Sequence, residues 1–532
     1  VGLTACSDFF EPIPGVQFGL DETFASKQRT EEYLNNVYSY VREVTDAIHP
    51  NTYGGIFTEA SLDGANRWNK TYAEWTNGSF NSASAQASEY FSKYYQAIAK
   101  ASTFIQNVDK CTEAAASTRG KWKSEARALR AYYYFELLRL YGPIPLIGED
   151  PIPLDASLEE LIKERNSVDE CVNFIATELQ SAIDSGDLLQ RAGKANLGRM
   201  DVATCMALKA KLYLYWASPL FNGNTDQASV KNKDGKQLFP QTEDHSKWTQ
   251  TRDAYERFMT FATGQGYKLT EVYTNGKLDP YASCRAAGEF FTTTWEAVDE
   301  LIFVKLRDLY DYTYWVCPKF TDFQDTDVTG GGGYYTTQET VDLFFTKDGL
   351  TIEEDPGYDK FEGIPGANNF TSGRYYDPNN PSRLYFDADK SKVLKQWKDR
   401  EPRFYVNITY SGSIWLNEGK YNEEMRTDFT NGANGTCGKS KASGDCPDSG
   451  YLIRRGAKAS NNNGSKHFSP VLRLADMYLG YAEALCMCSD LDNALTYLNK
   501  IRVRAGIPEY TFTATAGKIT CPKTQTDLLN RI

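Results

Sequence analysis

One stretch near residue 130 constrains the fold more than any other part of the sequence. Over residues 121–141, apolar and aromatic side chains such as Leu129, Tyr133 and Leu137 fall on nearly every face of a helix. A helix that is apolar all round is a buried one. Gly142-Pro143 then ends it. The rest of the chain must therefore supply elements that cover this helix on all sides.

Further helices are predicted on both sides of this segment. Apolar residues recur at helical spacing over 88–109 and 248–263. Ser167 and Glu170 form the sequence pattern of a capping box, and Asp201 is placed to cap the next helix. Helices that follow one another over short polar links are typical of stacked helical hairpins.

The C-terminal part returns to helices. Ser469-Pro470 reads as an N-cap followed by proline at the first helical position, and Asp490 caps the helix after it. The spacing of the hairpins is not a clean repeat of about 34 residues, so tetratricopeptide-like repeats here would be degenerate. The predicted fold class is mainly α, with a tetratricopeptide-like scaffold of helical hairpins.

The stretch 282–464 has a different character, rich in Gly, Asp, Asn, Tyr and Trp. Residues 301–304 and 404–408 are predicted as short strands, and four glycines run over 330–333. Long loops on a rigid scaffold are common places for binding surfaces.

We therefore predict one composite domain in four parts. These are an N-terminal tether over 1–20, a helical scaffold over 21–281, a loop-rich ligand-facing region with short β-strands over 282–464, and a helical hairpin over 465–532 that completes the scaffold.

Composition excludes several classes of function. The 532 residues carry 58 Lys+Arg against 70 Asp+Glu, a formal charge of -12, which argues against a nucleic-acid partner. No run of about 18 apolar residues predicts a membrane-spanning helix. The three histidines are far apart, so no histidine-built metal centre is expected. We predict no cofactor, no metal and no catalytic residue.

The start of the chain resembles the lipobox of bacterial lipoproteins. Small residues precede Cys6 in the order Leu3-Thr4-Ala5-Cys6, and the resemblance implies a lipidated cysteine that anchors the protein. The alternative is an ordinary tail with a chance cysteine. Export would permit disulfides. Cys437 and Cys446 are the best candidate pair, whereas Cys171 and Cys205 are expected to be buried thiols.

Five segments resemble the SusD/RagB family of Bacteroidetes outer-membrane lipoproteins. Arg127-Ala128-Leu129-Arg130-Ala131-Tyr132-Tyr133-Tyr134-Phe135 is similar to its signature helix. The later segments follow in the family's order: Thr337-Gln338-Glu339-Thr340-Val341-Asp342, Asp399-Arg400-Glu401-Pro402-Arg403-Phe404, Leu472-Arg473-Leu474-Ala475-Asp476-Met477-Tyr478 and Leu498-Asn499-Lys500-Ile501-Arg502.

The resemblance implies a non-enzymatic nutrient-binding protein at the cell surface. Such proteins cover a SusC-like TonB-dependent transporter in the outer membrane and capture an oligosaccharide or, in RagB-type members, a peptide. The resemblance also implies that the family pattern continues after Ile532.

Aromatic clusters are the candidate ligand contacts. An oligosaccharide presents apolar faces on which rings stack, and hydroxyl edges that polar side chains bind. Two loop clusters suit this, and the family's ligand site is built from corresponding loops. The predicted glycan-binding residues are Asp63, Arg67, Trp68, Tyr72, Trp75, Asn77, Tyr312, Trp315, Tyr334 and Tyr335.

Alternatives remain open at this point. The same aromatic side chains could simply hold long loops on the scaffold, while Tyr132, Tyr133 and Tyr134 are expected in the core and not at a ligand. Seventy acidic residues leave a glycoside hydrolase with two carboxylates conceivable. Helical hairpin stacks also bind proteins, which gives a pure interaction scaffold as a third reading.

Overall fold

The computed structural model describes residues 18–42, 64–66, 78–148, 156–288, 298–308, 316–320, 330–361, 365–416, 426–429, 437, 445–457 and 466–532. The α-helices are α1 (Leu20–Ala25), α2 (Lys27–Ser39), α3 (Ala85–Asn107), α4 (Ala116–Tyr141), α5 (Leu158–Leu161), α6 (Val168–Asp184), α7 (Val202–Ala217), α8 (Ser246–Gly264), α9 (Pro280–Gly288), α10 (Gln338–Asp342), α11 (Pro402–Asn407), α12 (Leu474–Met487), α13 (Leu491–Ala505) and α14 (Gln525–Arg531). The strands are β1 (Ala65–Asn66), β2 (Tyr273–Thr274), β3 (Lys277–Leu278), β4 (Leu301–Asp308), β5 (Tyr334–Tyr335), β6 (Arg374–Asp377), β7 (Asn380–Asp387), β8 (Ile408–Tyr410), β9 (Tyr451–Ile453), β10 (Lys466–Arg473), β11 (Tyr510–Thr511) and β12 (Ile519–Thr520).

The long helices form a continuous stack. Along the chain α3 packs on α4, α4 on α6, α6 on α7 and α7 on α8. The stack then continues with helices that follow the loop-rich region in the sequence, because α8 packs on α12 and α12 on α13. The predicted scaffold of helical hairpins is confirmed, and its last hairpin is contributed by the C-terminal part of the chain.

Helix α4 lies at the centre of the main core, as its all-round apolar pattern predicts. Tyr132, Tyr133 and Tyr134 are at most 1% exposed, so their assignment to the core is confirmed. Two of their hydroxyls donate to backbone carbonyl oxygens, that of Tyr133 to Val37 at 2.5 Å and that of Tyr134 to Ile147 at 2.8 Å. Burying a ring while bonding its polar tip is the usual way a core accommodates tyrosine.

A buried ion pair fastens α4 to α6. The Arg130 side chain is fully buried, and its Nε lies 2.8 Å from Glu178 Oε2. Arg127 Nη1 binds the other carboxylate oxygen at 2.8 Å, and Arg130 Nη1 reaches Ser102 Oγ at 3.1 Å. Two arginines of the signature segment therefore cross-link three helices of the stack, since Ser102 belongs to α3.

Most of the helix caps predicted from the sequence are confirmed. Ser167 Oγ accepts the Glu170 backbone N–H at 3.3 Å, and Glu170 Oε2 accepts the Ser167 N–H at 2.7 Å. Asp201 Oδ1 accepts the Thr204 N–H at 2.7 Å at the start of α7. Asp490 caps α13 as predicted.

The predicted N-cap at Ser469-Pro470 is wrong. These residues lie in β10, where Ser469 pairs with Lys305 and Pro470 with Val304 of β4. The strand is irregular after Pro470, between that residue and Leu472. A bulge tolerates proline because the ladder is already interrupted there. Helix α12 accordingly starts later, at Leu474.

The strand predicted over 404–408 is wrong over most of its length, whereas the strand over 301–304 is confirmed inside β4. Pro402 stands at the start of a short helix, α11, and the strand begins only at Ile408. Proline at the first helical turn loses no hydrogen bond that the helix would need. The helix turns Phe404 and Tyr405 into a second core, in which both rings are buried.

This second core is mainly aromatic and lies beneath a small sheet with the strand order β1-β5-β9-β8. The rings of Tyr385 and Tyr405 stack with their centroids 3.9 Å apart. Arg383 connects this region to the start of α9, because its guanidinium binds Asp279 at 2.9 Å and Asp377 at 2.6 Å. The loop-rich region therefore has a core of its own.

Within the described ranges, no helix is both long and apolar enough to cross a bilayer. Cys171 and Cys205 are buried and unbridged, as predicted, and burial raises the pKa of the Cys171 thiol to about 12. Cys437 and Cys446 are also buried. Their pairing stays a prediction, as do the limits of the four parts of the domain.

Candidate ligand-binding site

The small sheet brings two distant parts of the chain together. Ala65 pairs with Tyr335 and Asn66 with Tyr334 in antiparallel register. Tyr335 pairs in turn with Leu452 of β9 on its other side. In sequence, β1 is directly followed by Arg67 and Trp68, and β5 ends the stretch that includes Tyr312 and Trp315. The sheet therefore places the start of the first predicted aromatic cluster beside Tyr334 and Tyr335.

Gly64 allows β1 to lie close to its neighbours. A Cβ atom at this position would stand 2.7 Å from Ile453 Cδ1 and 3.2 Å from both Cζ and Oη of Tyr334. A contact of 2.7 Å is closer than carbon atoms can pack without displacement, since such atoms rest at about 3.5–4.0 Å. The missing side chain therefore sets the approach of the early loop to β5 and β9.

The glycine run that precedes β5 is buried and tightly packed. Gly332 has a φ of +55°, and a Cβ there would lie 3.1 Å from the Asp445 carbonyl oxygen and 3.2 Å from the Lys319 nitrogen. The Gly332 N–H donates to the Cys317 carbonyl oxygen at 2.9 Å. Lys319 and Asp445 form an ion pair beside it. The four glycines thus allow backbone segments to cross closely here, which directs β5 towards β1. The sequence predicted only a loop at this position.

Two of the ten predicted glycan contacts lie in the described part of the chain. The Tyr334 side chain is 3% exposed and its ring faces Gly64, so it offers a ligand almost no surface. Tyr335 is half-buried, on the opposite face of the strand, as alternation requires. Asp63, Arg67, Trp68, Tyr72, Trp75, Asn77, Tyr312 and Trp315 lie outside the described residues, as does Cys6. All ten contacts stay predictions.

The motif residues that carried the family resemblance support the structure around this sheet. Arg400 is 2% exposed, and its Nη2 donates to the carbonyl oxygens of Val341 and Phe344, each at 2.7 Å. Its Nη1 donates to Tyr358 Oη at 2.9 Å. Arg400 therefore closes the C-terminal end of α10.

Two arginines, one in the last motif segment and one two residues after it, connect the loop-rich region to the last helical hairpin. Arg504 Nη1 binds both oxygens of Glu300, at 2.8 and 2.9 Å. Arg502 Nη2 donates to the Gly349 carbonyl oxygen at 2.8 Å. Burial raises the pKa of Glu300, but the nearby Arg504 and Arg473 guanidinium groups outweigh it and hold that pKa below its usual value. These contacts keep the site on a rigid support.

A cavity that sequence reasoning missed lies at the other end of the sheet. It has a volume of about 610 Å³ and is lined by side chains from α10, β9 and the loops around Trp397 and Phe429. Gln338 and Asp342 belong to a motif segment that the sequence had marked only for its resemblance. No local pattern could have placed Trp397 beside Tyr451, since 54 residues separate them.

The described residues offer no metal site. No group of three or more His, Cys, Asp or Glu side chains there is arranged to hold an ion.

Comparisons with known proteins agree with the motifs. Residues 300–532 match the model of the SusD family, and residues 17–214 match a model described as starch-binding and associating with the outer membrane. A SusD-like protein of Bacteroides ovatus is 27% identical over 175 residues. That match spans 32% of this chain and 30% of the relative, and so less than a third of the relative's length.

Solved structures share the fold over almost the whole chain. The protein named BT4246 has a TM-score of 0.72 at 24% identity, covering 95% of this chain and 86% of its own. A SusD-like carbohydrate-binding protein of Bacteroides fragilis has a TM-score of 0.61 at 17% identity, with 96% and 82% covered. At such identities these likenesses speak for the fold alone. The two family matches over residues 300–532 and 17–214, together with the ordered motifs, identify the chain as a SusD-like family protein.

Proposed function

We propose that this protein captures an oligosaccharide at the β1–β5 edge of its small sheet and does not cleave it. The observation that carries the proposal is the pairing of Ala65–Asn66 with Tyr334–Tyr335. This pairing places β1, which immediately precedes the first aromatic cluster, against Tyr334–Tyr335, although about 270 residues of sequence lie between the strands. A ligand platform needs such convergence of separate loops.

The chemistry of the two clusters fits a sugar. Indole and phenol rings supply flat apolar faces, and Asp63, Arg67 and Asn77 supply donors and acceptors for hydroxyl edges. Each hydrogen bond to a hydroxyl replaces one to water and contributes only about 1 kcal/mol net. The expected affinity is therefore modest and depends on several rings acting together.

We further propose delivery to a SusC-like TonB-dependent transporter, with the protein held at the outer membrane through a lipid on Cys6. Membership of the SusD family supports this, as does the description of the matched N-terminal model as associating with the outer membrane. The Bacteroides fragilis relative is described as carbohydrate-binding, which favours a glycan over a peptide cargo.

The test is a binding screen against a polysaccharide panel by affinity gel electrophoresis and calorimetry, with reducing-sugar release assayed in parallel. The variant Trp68→Ala/Trp75→Ala/Trp315→Ala should bind at least about tenfold more weakly, which corresponds to ~1.4 kcal/mol. It should still dock to the co-expressed transporter. Phe18→Ala/Tyr273→Ala is the matched control, because these rings are 51% and 60% exposed and lie in the helical half.

Three results would contradict the proposal. Release of reducing sugar would show a hydrolase. Binding of peptides with no glycan bound would move the protein to the peptide-capturing class. Loss of transporter docking in the triple-Trp variant, with glycan binding retained, would make the aromatic clusters part of an interaction surface.

A further inference from the structure

We infer that the cavity beside Trp397 is a second, separate binding site for a short neutral oligosaccharide. The inference rests on the proposed function in one respect only, namely that the protein's ligands are glycans. The cavity of about 610 Å³ falls within the range of ~300–1,000 Å³ that small-molecule sites occupy. The residues that form it and carry the argument are Gln338, Asp342, Phe361, Trp397, Phe429 and Tyr451.

A chain of hydrogen bonds runs from the buried Trp397 and Tyr451 at the floor of the cavity to the exposed Gln338 and the half-buried Asp342. Trp397 Nε1 donates to Tyr451 Oη at 3.0 Å, and Tyr451 Oη donates to Gln338 Oε1 at 2.7 Å. Gln338 Nε2 then donates to Asp342 Oδ1 at 2.8 Å. Burial raises the pKa of Tyr451 to about 12, so its hydroxyl keeps the proton that it donates. The chain leaves Asp342 with its second carboxylate oxygen for a ligand hydroxyl.

The walls supply the apolar faces. Phe361 and Phe429 are both half-buried and line the cavity from separate loops. Trp397 and Tyr451 lie deeper, at 7% and 4% exposed, and meet edge to face with their centroids 6.0 Å apart. Buried rings that form the floor and half-exposed rings at the rim resemble the arrangement that a pyranose needs, with a CH face on a ring and hydroxyls on amides and carboxylates.

The charge of the lining favours an uncharged sugar. Among the described lining residues, Asp342 is the acid and Lys360 the base, so their charges offset each other. A uronic acid or a sulfate would meet no cationic surplus there, whereas a neutral sugar would meet donors and acceptors without a net field.

The cavity lies apart from the β1–β5 edge. Tyr451 belongs to β9, which separates β5 from β8 in the sheet. Of the predicted contacts that the structure describes, neither Tyr334 nor Tyr335 lines the cavity. The two sites can therefore be inactivated independently. The second site can therefore be tested in a variant that lacks the first.

The experiment uses calorimetry of the full chain with defined neutral hexa- and heptasaccharides of the malto-, laminari-, cello-, xylo- and manno-series. The background is the Trp68→Ala/Trp75→Ala/Trp315→Ala variant, in which the first site is removed. We expect residual binding of at least one probe, and a further loss of about tenfold on adding Phe361→Ala/Phe429→Ala. Adding Phe18→Ala/Tyr273→Ala instead should leave the residual binding unchanged.

A second variant guards against a folding artefact. Asp342→Asn keeps the shape and the bond from Gln338 but replaces the second carboxylate oxygen, an acceptor, with an NH2 group, a donor. It should weaken the residual binding several-fold with an unchanged unfolding midpoint. Residual binding that is indifferent to both changes would overturn the inference. If the wild type binds a probe and the triple-Trp variant binds none, this inference fails while the proposed function stands. If the wild type binds no glycan, both fail.

Discussion

Gly64→Ala should weaken glycan binding although it adds one methyl group outside both aromatic clusters. The new Cβ would lie 2.7 Å from Ile453 Cδ1 and 3.2 Å from the end of the Tyr334 ring. Overpacking of this kind costs about 1–3 kcal/mol when the neighbours are already packed. Tyr334 is buried and cannot move freely, so the strain falls on Ile453 and on the two-residue strand β1.

The size of the effect follows from where the strain is relieved. If β1 is displaced and the strain is relieved there, the conformation that binds the glycan is populated less. The apparent affinity then falls by the same factor. A cost of ~1.4 kcal/mol corresponds to about a tenfold loss of affinity. The unfolding midpoint then changes little, because β1 pairs through only two residues. If β1 keeps its position, the strain remains in the folded state and the midpoint of urea unfolding falls instead.

Gly148→Ala is the matched control, since a Cβ at that position meets nothing within 4 Å and the backbone needs no positive φ. Ile453→Val provides a rescue, because it removes the Cδ1 atom that the new methyl group would meet. The double variant Gly64→Ala/Ile453→Val should recover part of the lost affinity, and the recovery measures the contact directly. Calorimetry with the best glycan of the panel and urea unfolding give both quantities. If Gly64→Ala behaves like Gly148→Ala in both assays, the role given to this close approach is refuted.

Three further tests, the first with a control variant, concern the scaffold. Glu178→Gln leaves the fully buried Arg130 without its carboxylate, and should lower the free energy of unfolding in urea by about 3–5 kcal/mol. Asp109→Asn, which breaks an exposed pair, should cost at most about 1 kcal/mol, and equal effects would contradict the reasoning. Burial raises the pKa of Asp201 to about 6, so the folded state holds this proton more tightly than the unfolded chain. The contribution of Asp201 to stability is then full below about pH 4 and lost as the pH rises through about 6. Asp201→Asn keeps the cap but does not titrate. The urea midpoint of this variant should therefore change less than that of the wild type between about pH 4 and pH 6. Ser167→Ala removes one half of the capping box and should cost about 1 kcal/mol, measured in the same way.

The helical scaffold could be predicted from the sequence because its signals are local. The apolar surface of the segment over 121–141 requires burial wherever the helix goes, and the caps at Ser167 and Asp201 need only residues three positions away. The order of the motifs also identified the family, because each motif is itself a local signal in the sequence. Prediction failed at Ser469-Pro470, where a local cap signal was overridden by pairing with β4. A proline that starts helices elsewhere is tolerated in a strand here because the ladder is irregular at that point.

By itself, the sequence determined that the chain forms a helical stack with a loop-rich region rich in aromatic side chains. Only the tertiary structure decided which of those side chains lie together. The approach of Gly64 to Tyr334 and Ile453, and that of Trp397 to Tyr451, join residues far apart in the chain. Neither periodicity nor capping carries information about such contacts, because they arise when the sheet and the aromatic core close. The tertiary structure also assigned Tyr334 to the interior and left Tyr335 at the surface, a choice that depends on which face of a two-residue strand the rest of the fold covers.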